Sequence, residues 1–140
     1  MRSASPRPFV IGALFSLMLV LGACSGGADG TPAGSTSRDD CARVEDGVIT
    51  ITADDLAFSA PCMVATAGEA FTIHFENLEA QVHNVSLYTD SSKGNELMRG
   101  ETITGPDAEV DYAVEALEAG EYYFDCMVHP AMSGTLFVEA

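Results

Sequence analysis

Tryptophan is absent from this chain of 140 residues, histidine occurs only 3 times, and Lys plus Arg number 6 against 21 Asp plus Glu. Each scarcity excludes something. A formal charge of -15 leaves too few cations to neutralise a phosphate backbone, so nucleic acid is excluded as a partner. Three imidazoles cannot build a metal centre that needs a crowd of them. The missing tryptophan removes the core marker of antibody-type immunoglobulin domains. The longest apolar run, Phe9 to Leu21, is broken only by Gly12 and Ser16 and is shorter than the roughly 20 residues a spanning helix needs. What remains is 47% hydrophobic and 19% charged, a globular balance, in a length suited to one domain.

The amino terminus carries a sorting pattern. Arg2 and Arg7 precede the apolar run, as in the positive and apolar regions of a secretory signal. The run ends Leu21-Gly22-Ala23-Cys24, which resembles the bacterial lipobox, where cleavage before a diacylglyceryl-modified cysteine leaves that residue first. Residues 1–23 are therefore expected to be a lipoprotein signal peptide and Cys24 the lipidation site. Two or more acyl chains anchor a protein stably where one is marginal. Residues 24–40, rich in Gly, Ser, Thr, Ala and Asp without apolar periodicity, are expected to be a flexible tether. The expected location is extracytoplasmic, anchored to the cell membrane by the amino-terminal lipid.

Residues 41–140 read as the folded domain. Ile49 and Ile51 alternate with Thr50 and Thr52, and Phe71, Ile73 and Phe75 share a face. Val82 to Tyr88 is β-rich, and Val110 to Val114 follows the turn Gly105-Pro106-Asp107. Ala119-Gly120 precedes Tyr122 to Phe124, and Gly134 precedes Thr135 to Val138. Short alternating strands between turn signals, with no long helical period, predict an all-β, antiparallel sandwich. Asp90 to Arg99 is the least strand-like piece and reads as a loop or short helix. The acidic residues from Asp107 to Glu121 read as a solvated face, with a docking patch for a basic partner as the other reading.

Cysteine arithmetic leaves a choice. With Cys24 lipidated, Cys41, Cys62 and Cys126 are an odd set in an oxidising compartment. Cys41 can pair with Cys62, leaving Cys126 for chemistry, or Cys62 can pair with Cys126 across a sandwich, leaving Cys41 spare. The second pairing leaves the residues after Cys126 unexplained.

Those residues carry the chemistry. Cys126, His129 and Met132 recur three by three in Cys126-Met127-Val128-His129-Pro130-Ala131-Met132. Thiolate, imidazole and thioether form a soft donor set suited to copper, and two His with a Cys and a weak axial Met make a blue-copper site. The second His comes from elsewhere. Strand parity selects His83, which shares a face with Val85 and Leu87, over His74, which faces away from Phe71, Ile73 and Phe75. The same parity turns Cys126 inward with Phe124 and Tyr122, and turns Tyr123 and Asp125 outward.

Val82-His83-Asn84-Val85 together with Cys126 to Met132 resembles the cupredoxin family, of the amicyanin and plastocyanin kind. Gly120 to Phe124 and Gly134 to Leu136 fit the flanking strands, so the likeness covers about 100 residues. The resemblance implies a Greek-key β-sandwich of the cupredoxin type with one copper ion near one end, moving single electrons. It implies His83, Cys126 and His129 as equatorial ligands, Met132 as axial ligand, and Asn84 as the residue tying the ligand loops together. Many relatives carry Ser or Thr after the Cys to bond that Asn, whereas this chain has Met127. With Cys126 on copper, Cys41–Cys62 is the expected disulfide. The expectation is a monomeric electron shuttle and not an enzyme, serving a redox partner such as a basic cytochrome or an oxidase. The alternative is a copper carrier or buffer without redox turnover, although no His- or Met-rich cluster lies outside the loop.

Overall fold

The computed structural model describes residues 37–140; the expected signal peptide and Cys24 lie outside the described residues. In chain order the strands are β1 (Ala42–Arg43), β2 (Val48–Asp54), β3 (Ala57–Phe58), β4 (Cys62–Thr66), β5 (Phe71–Asn77), β6 (Val82–His83), β7 (Ser86–Tyr88), β8 (Glu96–Arg99), β9 (Ile103–Thr104), β10 (Ala108–Val114), β11 (Gly120–Asp125) and β12 (Ser133–Glu139). A six-stranded sheet runs β1-β4-β12-β11-β7-β8 and faces a four-stranded sheet β10-β5-β2-β3, with β6 and β9 forming a separate ribbon. This is the all-β sandwich that the alternation predicts.

The inward residues follow the period of two. Ile49, Ile51 and Ala53 of β2 and Phe71, Ile73 and Phe75 of β5 are buried, and meet Met63, Leu87, Phe124, Leu136 and Val138 of the other sheet in one cluster. Phe58 joins the layers, its ring 5.5 Å from Phe124 and 6.4 Å from Phe75. Burial of such side chains contributes about 1.5–3 kcal/mol each.

Three expectations need correction. The sheets are mixed, because β1–β4, β4–β12 and β2–β5 pair in parallel. Sequence alternation reports which face is buried, not strand direction, and so could not distinguish the two. Asp90 to Arg99 contains no helix: a turn held by the Asp90 carboxylate, which accepts from the Ser92 N–H at 2.8 Å, leads into β8. Asp125 does not face solvent. It lies on the outer side of its sheet but is fully buried, covered by Lys93 of that turn.

Cys41 and Cys62 form a disulfide across a sequence separation of 21. Closing such an interval contributes about 3 kcal/mol on the chain-entropy account. Of the expected tether, Arg38–Asp40 form a 3-10 turn, and Arg38 pairs with Glu139 and lies over the Phe137 ring.

His74 faces outward as expected, but among carboxylates. It stands opposite Asp111 across β5 and β10, with Nδ1 2.6 Å from Asp111 Oδ1 and Nε2 3.3 Å from Glu76 and 3.8 Å from Glu109. The hydrogen bond to Asp111 raises its pKa; partial burial opposes this, and the charges of Asp111, Glu76 and Glu109 add to it. A raised folded-state pKa gives stability that is complete below the unfolded value of about 6.5 and lost as pH rises through the folded value. His74→Gln is expected to remove about 0.5–1 kcal/mol of stability at pH 5.5 and progressively less toward pH 9. Urea unfolding of both proteins across that range measures it, and a pH-independent difference would contradict the assignment.

Candidate metal centre

The chain between Val82 and Tyr88 is not one strand. It pairs with β9 at Val82 and His83, then leaves the ribbon and joins the six-stranded sheet at Ser86. The crossing, Asn84-Val85, is wholly buried. This break sets His83 at the end of the sandwich. β11 delivers the second group. Phe124 points into the core, and two residues on, where β11 ends, Cys126 points the same way with no solvent exposure.

The loop after Cys126 folds on itself. The Cys126 N–H donates to the Met132 carbonyl at 2.9 Å, and the Met132 N–H to the His129 carbonyl at 2.8 Å. The spacing of three thus sets His129 beside Cys126 and returns Met132 to the core, where it is buried in the same cluster as Cys126. Met127 and Val128 point outward and are exposed, and Pro130 and Ala131 complete an apolar rim. His83 is fully buried, whereas His129 is half-buried and is the nearer of the two to solvent.

The donor atoms converge. Cys126 Sγ lies 3.7 Å from His83 Nδ1 and 4.0 Å from His129 Nδ1, and the two nitrogens are 3.1 Å apart. All three atoms lie within 4.8 Å of one another, and no other such group of three His, Cys, Asp or Glu residues occurs among the described residues. A first-row ion sits roughly 2.0–2.3 Å from nitrogen or sulfur donors, so three donors around one ion stand about 3.5–4 Å apart. The two sides that meet at the sulfur have that size, the nitrogen–nitrogen side is shorter at 3.1 Å, and the soft thiol with two imidazoles suits copper. Of the four residues expected as ligands, the structure brings three together and buries Met132 at the end of the loop.

Asn84 ties the parts together. Its Oδ1 accepts from the Met127 N–H at 2.9 Å, and its Nδ2 donates to the Gly100 carbonyl at 2.8 Å and to Ser86 Oγ at 3.1 Å. The link to the residue after Cys126 therefore runs through the backbone of Met127 and needs no hydroxyl there. Gly100 is required for its close approach, since a Cβ there would run into the Val85 carbonyl and the Tyr112 ring.

Sequence reading missed Glu79. Its Oε1 lies 2.8 Å from His83 Nε2, although off the ring's N–H direction, so that Nε2 has no aligned hydrogen bond. The same Oε1 accepts from the Leu56 N–H at 3.0 Å, and this bond, opposed by partial desolvation, holds the carboxyl below the usual glutamate range. A carboxylate near the far nitrogen is a common companion of a metal-ligating imidazole, and here it stands close without an aligned hydrogen bond. The available signal was an acid four residues before a candidate ligand. His74 is on the outer face of the four-stranded sheet and is not part of the centre.

A family model described as a cupredoxin-like domain matches residues 16–138. The chain is similar to amicyanin of Paracoccus versutus, 32% identical over 91 residues, 65% of this chain and 64% of that relative. It thus spans a little under two thirds of the length of this curated relative. Among solved structures it is similar to auracyanin A, described as a "blue" copper protein from Chloroflexus aurantiacus, with a TM-score of 0.59, 25% identity, and coverage of 69% of this chain and 98% of the other. It is also similar to the crystal structure of amicyanin from Paracoccus versutus, with a TM-score of 0.51, 30% identity, and coverage of 69% and 85%.

The Asn84 bridge makes a prediction that needs no metal. Asn84→Ala leaves the Met127 N–H and the Gly100 carbonyl without this partner. Urea unfolding of the metal-free protein is expected to show a loss of about 2–3 kcal/mol. A loss below about 0.5 kcal/mol would mean that Asn84 does not tie the loops.

Proposed function

The chain belongs to the cupredoxin family, and from that premise we propose that it binds one copper ion through His83, Cys126 and His129, with Met132 as a weak axial ligand, and passes single electrons between redox partners. The observation that carries the reading is the triangle of one sulfur and two Nδ1 atoms, all within 4.8 Å of one another. Bound there, copper would supply a one-electron couple whose potential depends on the axial ligand and on the groups around the cysteine sulfur.

This chain's own residues do the remaining work. The sandwich fixes His83 and Cys126 from two different strands, and Asn84 fixes the start of the loop that carries His129 and Met132. A donor set held by packing and hydrogen bonds moves little when charge changes, so little rearrangement opposes transfer. Burial of Cys126 keeps water and oxidants from the thiol, which outside the cell would otherwise climb the oxidation ladder. The half-buried His129, in its rim of Met127, Val128, Pro130 and Ala131, is the edge at which a partner comes nearest.

The proposal includes location. Residues 1–23 act as a lipoprotein signal, Cys24 carries the lipid, and the tether that follows, up to the 3-10 turn at Arg38–Asp40, lets the domain turn at the outer membrane surface as a monomer. The lipobox-like Leu21-Gly22-Ala23-Cys24 supports this, as does the Cys41–Cys62 disulfide, a bond of oxidising compartments.

Two experiments test these readings. The full chain with one equivalent of copper(II) is expected to show an intense visible thiolate-to-copper band, bleached by ascorbate and restored by oxidation. Cys126→Ser is expected to abolish the band with an unfolding free energy within about 1 kcal/mol of the wild type. A band that persists would sink the ligand assignment, and a copper complex that does not cycle would favour a carrier. In membrane fractionation, Cys24→Ala is expected to move the protein into the soluble fraction; retention would point to an uncleaved amino-terminal helix.

A further inference from the structure

Asp125 is the last residue of β11 and directly precedes Cys126. Its side chain is wholly buried, and apart from the Lys93 ammonium no donor reaches either carboxylate oxygen among the described residues. Lys93 is placed for that contact. It sits in the turn between β7 and β8, its N–H donates to the Asp90 carbonyl at 3.1 Å, and its ammonium stands 5.7 Å from the centre of the Tyr88 ring. Its backbone has φ 57, a left-handed conformation that lysine adopts at a cost. The Asp125 carboxylate raises the ammonium above the usual lysine range.

A buried charge beside a metal ligand acts through a poorly screening interior, so its effect on that ligand is large. An ionised Asp125 carboxylate without its cation would favour the more positive oxidation state of copper held by the neighbouring sulfur. Resting on the copper reading above, we propose that Lys93 is a positioning and potential-setting residue: by neutralising Asp125 behind Cys126, it holds the reduction potential of copper bound at His83, Cys126 and His129 above the value an unpaired Asp125 would give. The pair lies on the side of the chain opposite the Cys126 side chain, so its effect is electrostatic and not through ligation.

The test is a redox titration of the visible copper band in the copper-loaded full chain, beside thermal unfolding of the same variants without copper. Lys93→Met is expected to lower the potential and the unfolding midpoint, and Lys93→Arg to restore both. Asp125→Asn, which removes the negative charge instead, is expected to raise the potential. The double variant is expected to return toward the wild-type value, since both charges are gone. Lowered midpoints with unmoved potentials would overturn the inference, because the pair would then only anchor the turn. Should Lys93→Met fail to fold, Asp125→Asn alone decides: an unchanged or lowered potential overturns the inference. Absence of a thiolate-to-copper band in the wild type would overturn the copper reading and this inference together, whereas a wild-type band with unmoved variants overturns the inference alone.

Discussion

Two imidazole nitrogens and a thiol sulfur stand within 4.8 Å of one another at the end of a β-sandwich, in residues of which two have no contact with water. Atoms with lone pairs do not gather in a dry place unaided, because each has given up hydration without gaining a matched donor. The surrounding structure therefore has to hold them there. A strand that changes partners supplies His83, a strand that ends supplies Cys126, and a loop closed by two backbone hydrogen bonds supplies His129 and returns Met132 to the core. Asn84 spans the seam, one residue from His83 in sequence and bonded to the residue after Cys126. Its other bonds reach Gly100 and Ser86, so the site is fixed to β7 and to the chain entering β9 as well.

The same constraint explains where the sequence was legible. Strand parity picks His83 over His74 and turns Cys126 inward; the single strand it assumes from Val82 to Tyr88 is broken between β6 and β7, yet His83 is buried in the triangle and His74 lies outside it. The loop was legible because its three donors lie three residues apart, the spacing a tight turn brings to one side. The disulfide required more than spacing, since both pairings of Cys62 were open until Cys126 had another role. Parallel pairing in both sheets was hidden, because alternation has the same period whichever way a neighbouring strand runs.

The buried charges were the least legible. Asp125 obeys parity in pointing away from the core, yet it is enclosed, because the turn carrying Lys93 covers that part of the outer face. Parity assigns a residue to a face and says nothing about what crosses that face. Glu79 is a similar case. Its place beside His83 depends on a bond to the Leu56 N–H from a distant turn, where Asp55 and Leu56 both adopt positive φ. In each case the missing information is a contact between segments far apart in sequence.

The described part has few unpaired cations and an uncharged rim around His129. Of the basic residues in the described part, Arg38, Lys93 and Arg99 are each paired with a carboxylate, so their charges are largely compensated where they stand. The acidic excess is left to set the field, and on the outer face of the four-stranded sheet, among the described residues, His74 offsets Glu76, Glu109 and Asp111. Such a field acts over about a Debye length, near 8 Å at physiological salt, and governs the rate at which a basic partner arrives more than how tightly it stays. The rim around His129 has no charge on Met127, Val128, Pro130 or Ala131 and can give up its water cheaply at contact. On the proposed reading, a partner would be seated on that small neutral rim.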